Sequence, residues 1–141
     1  MMGCDIHIVL ERKNAAFGWV GIDSFKGHQT RSGWALPLAR SRDYRRFAAL
    51  AGVRGDGPEP LGVPDDASPL SKILINDWAE DGHSHSWLPA KEAAELFAAR
   101  RWPGESPIDP ESYEAKYPWV HYFGIEDDDV ENYRIIFWFD N

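Results

Sequence analysis

The chain has a single cysteine, Cys4, so it cannot close an internal disulfide, and its fold does not depend on an oxidising compartment. No apolar run approaches the roughly 18 residues of a membrane-spanning helix, and the N-terminus lacks the basic and apolar segments of a signal peptide. The expectation is a cytoplasmic protein with no membrane partner. Positive charge is also scarce, with 15 Lys and Arg against 23 Asp and Glu and a net charge of -8. Proteins that grip a phosphate backbone use Lys and Arg to displace counterions, so direct nucleic-acid binding is disfavoured. The acidity leaves open a basic protein surface as partner. Internal repeats, low-complexity tracts and linkers are missing too, which points to one domain over residues 1–141.

What the chain has in quantity is aromatic residues: seven Trp, seven Phe and five Tyr, enough for a well-filled core. From Met2 to Glu11 the residues alternate, with Cys4, Ile6, Ile8 and Leu10 on one side and Asp5, His7, Val9 and Glu11 on the other, which predicts a strand. Residues 18–22 read as a short second strand forming a hairpin with it. The polar stretch from Asp23 to Pro37, with His28 and Trp34, reads as a loop over a pocket. Ser41 and Asp43 are N-cap candidates for a helix that ends at Gly52. The Gly- and Pro-rich run from Arg54 to Asp66 is irregular.

Ser68 followed by Pro69 opens a second helix, and Ala90 to Arg101 is the clearest third. A weakly helical piece begins near Pro110, and Tyr117 to Ile125 is ambiguous between strand and helix. Tyr133 to Phe139 is β-branched and aromatic, apolar on both faces near its end, as a central strand is. These segments predict an α+β domain: a small, mostly antiparallel sheet holding the N- and C-terminal strands, with about three helices packed on it.

Two short clusters carry the chemistry. Cys4-Asp5-Ile6-His7 lies in the first strand, and Asp81-Gly82-His83-Ser84-His85-Ser86-Trp87 follows the second helix. In an extended segment His83 and His85 share a face, about 6 to 7 Å apart at the backbone, close enough to reach one ion. Zinc and manganese take imidazole nitrogen and carboxylate oxygen, and catalytic sites combine three or more such ligands with an open, water-filled position. Asp5, His7, His83 and His85 form the expected metal set, with Asp140 or Asp81 as general base or supporting carboxylate. Metal-bound hydroxide there would attack a phosphoester or amide at neutral pH. Cys4, on the opposite side of the strand, reads as a small buried hydrophobe. By the plainer reading, the His83–His85 pair is a polar loop bonded to its neighbours, and the metal is structural or missing.

The spacing is similar in part to metallophosphoesterases, in Asp5-Ile6-His7, Gly82-His83-Ser84-His85 and Gly55-Asp56-Gly57-Pro58-Glu59. The chain has no Gly-Asn-His-Asp or Gly-Asn-His-Glu segment, so the likeness is one of ligand usage. Over most of its length the chain resembles small proteins encoded by phages and prophages. The residues that carry this are Gly3-Cys4-Asp5-Ile6-His7, Arg42-Asp43-Tyr44 to Arg54, Gly62-Val63-Pro64-Asp65-Asp66, Asp81 to Leu88, and Phe137-Trp138-Phe139-Asp140-Asn141. That resemblance implies a life in bacterial cytoplasm and supplies no mechanism. Two functions follow as expectations. One is a small metal-dependent hydrolase of a phosphoester or nucleotide. The other is a non-catalytic phage protein that binds a host protein or sequesters a signalling nucleotide, Trp19, Trp34 and Trp87 being placed to stack on a base.

Overall fold

The computed structural model describes residues 4–26, 29–30, 44–99 and 108–140. His28, Trp34 and the proposed caps Ser41 and Asp43 lie outside them. Five strands form one antiparallel sheet: β1 (Asp5–Asn14), β2 (Gly18–Lys26), β3 (Gln29–Thr30), β4 (Gly82–Pro89) and β5 (Tyr133–Asp140), in spatial order β3-β2-β1-β5-β4. Helices α1 (Tyr44–Ala51), α2 (Pro69–Trp78), α3 (Ala90–Ala99), α4 (Tyr113–Lys116) and α5 (Pro118–Phe123) connect and cover it. The α+β reading with both end strands in an antiparallel sheet holds. The helices number five among the described residues, because the aromatic stretch after Tyr117 is helical, started by Pro118 and stopped by left-handed Gly124. The second strand runs on to Lys26, and Gln29–Thr30 pairs with it, so the expected loop is partly sheet.

The central pairing is β1 with β5, and the alternation of side chains splits it into two faces. On one face Ile6 lies opposite Phe139, Ile8 opposite Phe137 and Leu10 opposite Ile135. These pack into the main core with Cys4, Phe47, Leu50, the alanines of α3, Phe97, Trp119 and Tyr122. Cys4 is fully buried there. On the other face the pairs run Asp5–Asp140, His7–Trp138, Val9–Ile136 and Glu11–Arg134. Helix α2 covers this face with Leu70, Leu74, Ile75 and Trp78. Covered on both sides, β5 is apolar on both sides, as a central strand must be.

What holds α2 down is a buried ionic network that its own sequence does not announce. Glu11 is 0% exposed, and Arg134 Nε donates to its Oε1 at 2.6 Å. The other Glu11 oxygen accepts from the Ser68 amide and the Ser71 hydroxyl, each at 2.7 Å. Ser68 caps α2 in turn, its hydroxyl accepting from the Ser71 amide at 3.2 Å. Arg134 also reaches Asp66 and stacks on the Trp19 ring at 4.0 Å. A buried charge costs several kcal/mol unless its hydrogen bonds are filled, and here both ions are richly bonded. The helix then lies close because β2 presents Gly21 beneath it: a Cβ at that position would stand 2.6 Å from Leu70 Cβ.

Candidate functional site

At the end of the α2-covered face, β1 and β5 bring three of the expected residues together. Asp5 and Asp140 are directly opposite in the register, and His7 lies one pair further in. The His7 Nε2–Asp140 Oδ2 separation is 2.7 Å, with the imidazole side chain 6% exposed and the carboxylate 16%. An ionised carboxylate can only accept, so facing one, the imidazole donates from Nε2. The ring is wedged between indoles, 4.3 Å from Trp78 of α2 and 5.7 Å from Trp138 of β5 between centroids. Its orientation is therefore fixed by packing on two sides and by a carboxylate on a third, as in an oriented acid–base pair.

The imidazole pair of β4 behaves differently from its sequence reading. Ser84 has φ 56, a left-handed value that a serine adopts at a cost, and the pairing with β5 is irregular between His83 and Ser86. His83 pairs with Phe139, and its ring lies along that residue on the main-core face at 6.3 Å. His85 instead stacks on Trp138, on the α2-covered face, at 6.2 Å and 19°. The bulge has replaced plain alternation, so the two rings attend opposite faces of β5. His83 Nδ1 and the Ser84 hydroxyl are 3.0 Å apart. Because β5 lies between β1 and β4, the Trp138 indole stands between His85 and His7.

Burial, and secondarily the neighbouring charge of His83, hold His85 below the ordinary imidazole pKa, so it is a neutral ring at neutral pH. Its Nε2 is buried with no hydrogen-bond partner, and so is Nε1 of Trp138. Asp81 is exposed at the end of the 3-10 turn that precedes β4, and Asp56 is exposed in the loop after α1. His121 is exposed beside Glu114. Among the described residues, no three His, Cys, Asp or Glu side chains are gathered as a ready-made cage for one ion.

Asp5, His7 and Asp140 lie near one another, as a strand alternation and a strand-terminal acid visible in one chain suggest. The sequence does not announce the walls, Trp78 and Trp138, which read as plain core. Nor does it announce the Glu11–Arg134 pair, whose one signal was an acid on the inward side of β1. A scan against protein-family models and searches of curated proteins and of solved structures find no match. No helix among the described residues is long and apolar enough to cross a membrane.

Proposed function

We propose that this protein is a small metal-assisted hydrolase of a phosphoester, with nucleotides as the substrate class, working at the sheet end that carries Asp5, His7 and Asp140. The observation that supports it is the 2.7 Å bond between His7 and Asp140, with the ring packed between Trp78 and Trp138. In this reading Nδ1 of His7 takes a proton from the attacking water, and Asp140 stabilises the imidazolium that results. The hydroxide adds to phosphorus, the bond from phosphorus to the leaving oxygen breaks, and that oxygen takes the proton back. Asp5 and Asp140 would hold a zinc or manganese ion, which would supply the positive charge that an acidic chain lacks for a phosphate. The buried His7 and its two indoles would keep bulk water from the general base.

The test is turnover of bis-p-nitrophenyl phosphate by protein purified without chelator, with added Mn²⁺ or Zn²⁺. Asp140→Asn and His7→Gln should each lower kcat by about 10²- to 10⁴-fold, the usual contribution of a positioned acid–base group, while His121→Gln should not. Absence of turnover by the unaltered protein with every divalent ion tried would remove the hydrolase reading and leave a nucleotide binder.

A further inference from the structure

Three buried side-chain nitrogens among the described residues have no hydrogen-bond partner: His85 Nε2, Trp119 Nε1 and Trp138 Nε1. Two of the three belong to rings that stack on each other, His85 and Trp138, at 6.2 Å between centroids. Both rings border Gly82: a Cβ built there would stand 3.5 Å from His85 Nε2 and 3.2 Å from Trp138 Cδ1, the carbon bonded to Nε1, with Trp78 Cβ at 3.3 Å. A buried polar group left unpaired costs roughly 1 to 3 kcal/mol, and natural folds leave few of them. The chemistry of the pair is complementary. An indole N–H can only donate, and the Nε2 of a neutral imidazole protonated at Nδ1 can only accept. A hydroxyl answers both at once, whether of a water or of a ligand, accepting from the indole and donating to the imidazole.

The backbone above these nitrogens is attached in an unusual way. The segment from Ala79 to Ser84 begins and ends on residues with positive φ, Ala79 at φ 45 and ψ -128 and Ser84 at φ 56. Its pairing to β5 consists of Gly82 with Asp140 and His83 with Phe139, after which the ladder is irregular. Strain of this kind persists where the surrounding structure over-determines it, and it gathers at ligand clamps. The same segment lies against Asp140, so one displacement would uncover the two nitrogens and the His7–Asp140 pair together.

We infer that His85 Nε2 and Trp138 Nε1 form a binding position for a hydroxyl of the ligand, a ribose hydroxyl of a ribonucleotide, reached when the Ala79–Ser84 segment lifts. The inference rests on the proposed nucleotide class and goes beyond it by naming the sugar. Gly82 then packs directly over these rings, since a Cβ there would stand 3.2 Å from Trp138 Cδ1 and 3.3 Å from Trp78 Cβ. His85 and Trp138 set specificity, with no part in bond breaking.

The experiment uses the full chain in chelator, so that nothing turns over. Nucleosides of the four bases, which carry no phosphate and so need no metal, are titrated as their ribo, 2′-deoxy and 3′-deoxy forms by calorimetry and by the indole N–H spectrum of ¹⁵N-labelled protein. One ribonucleoside should bind about 10- to 100-fold tighter than its 2′- or 3′-deoxy form, the loss expected when two buried partners go unanswered. The Trp138 indole signal, identified by its disappearance in Trp138→Phe, should move with the ribo form alone. His85→Phe should erase the preference, His85→Gln should keep part of it, and Gly82→Ala should weaken the ribo form selectively. Equal binding of all three sugars with an unmoved indole signal, or binding of none, overturns the inference. Loss of sugar preference with hydrolysis intact would remove this inference alone, and preference without hydrolysis would remove only the catalytic reading.

Discussion

At Asp140, one side chain faces two tasks, orienting His7 through Oδ2 and lying opposite Asp5 at the open end of the sheet. His85, across Trp138, is a residue whose titration is shifted by its surroundings. Its pKa in the folded chain lies below the ordinary 6.5, because burial disfavours the charged ring. The unfolded chain therefore takes up a proton that the folded chain refuses, and stability falls as pH drops through 6.5 toward the folded value. Denaturant midpoints measured between pH 8 and 5 should decline over that window, and His85→Phe should flatten the decline. A variant with the same slope as the parent would show that another group carries it. The alternation of β1 could be read directly, since Asp5 and His7 come out on one face with Glu11 and Val9. The split of His83 from His85 could not. The run His-Ser-His-Ser looks like plain alternation, and a left-handed Ser84 carries none of the Gly or Asn that usually marks such a bend.

Among the elements, α2 matters most to the site, because it brings Trp78 onto His7. Two contacts hold it. Replacing Glu11 by Gln would leave Arg134, 5% exposed, with only the exposed Asp66 carboxylate at 3.0 Å. About 1 to 3 kcal/mol of stability should be lost, as when a buried charged group loses one of its partners, and chemical denaturation can measure it. Gly21→Ala would place a methyl 2.6 Å from Leu70 Cβ, which belongs to the first turn of the helix and cannot swing away. That overpacking should cost about 1 to 3 kcal/mol and, by lifting α2, loosen His7 as well, visible as a change in Trp78 fluorescence. The start of this helix was legible in Ser68-Pro69, since a hydroxyl cap before a proline needs no tertiary context. Its seating was not legible, because Glu11, Ser68 and Arg134 are joined only by the fold. The extension of β2 to Lys26 was hidden in a polar stretch whose alternation carries little apolar signal.

For the whole molecule, the decisive measurement is linkage between metal and folding. If a divalent ion binds the folded sheet end and not the unfolded chain, Mn²⁺ at about 100 times its Kd should stabilise the protein by about 2.7 kcal/mol, and Asp5→Asn should abolish that gain. An unchanged Tm on titration would separate the site from any metal. The double cover of β5 was foreshadowed by its apolar run, but which helices lie on which face follows from pairings that no local pattern encodes. Strand β5 lies inside the sheet, between β1 and β4, and is made after every other described element. During synthesis the first strand must wait about 130 residues for its neighbour, exposing Ile6, Ile8 and Leu10 meanwhile. Contacts so distant along the chain slow folding. The ribosome-bound intermediate should therefore be a ready client for chaperones, released once β5 slots in between β1 and β4.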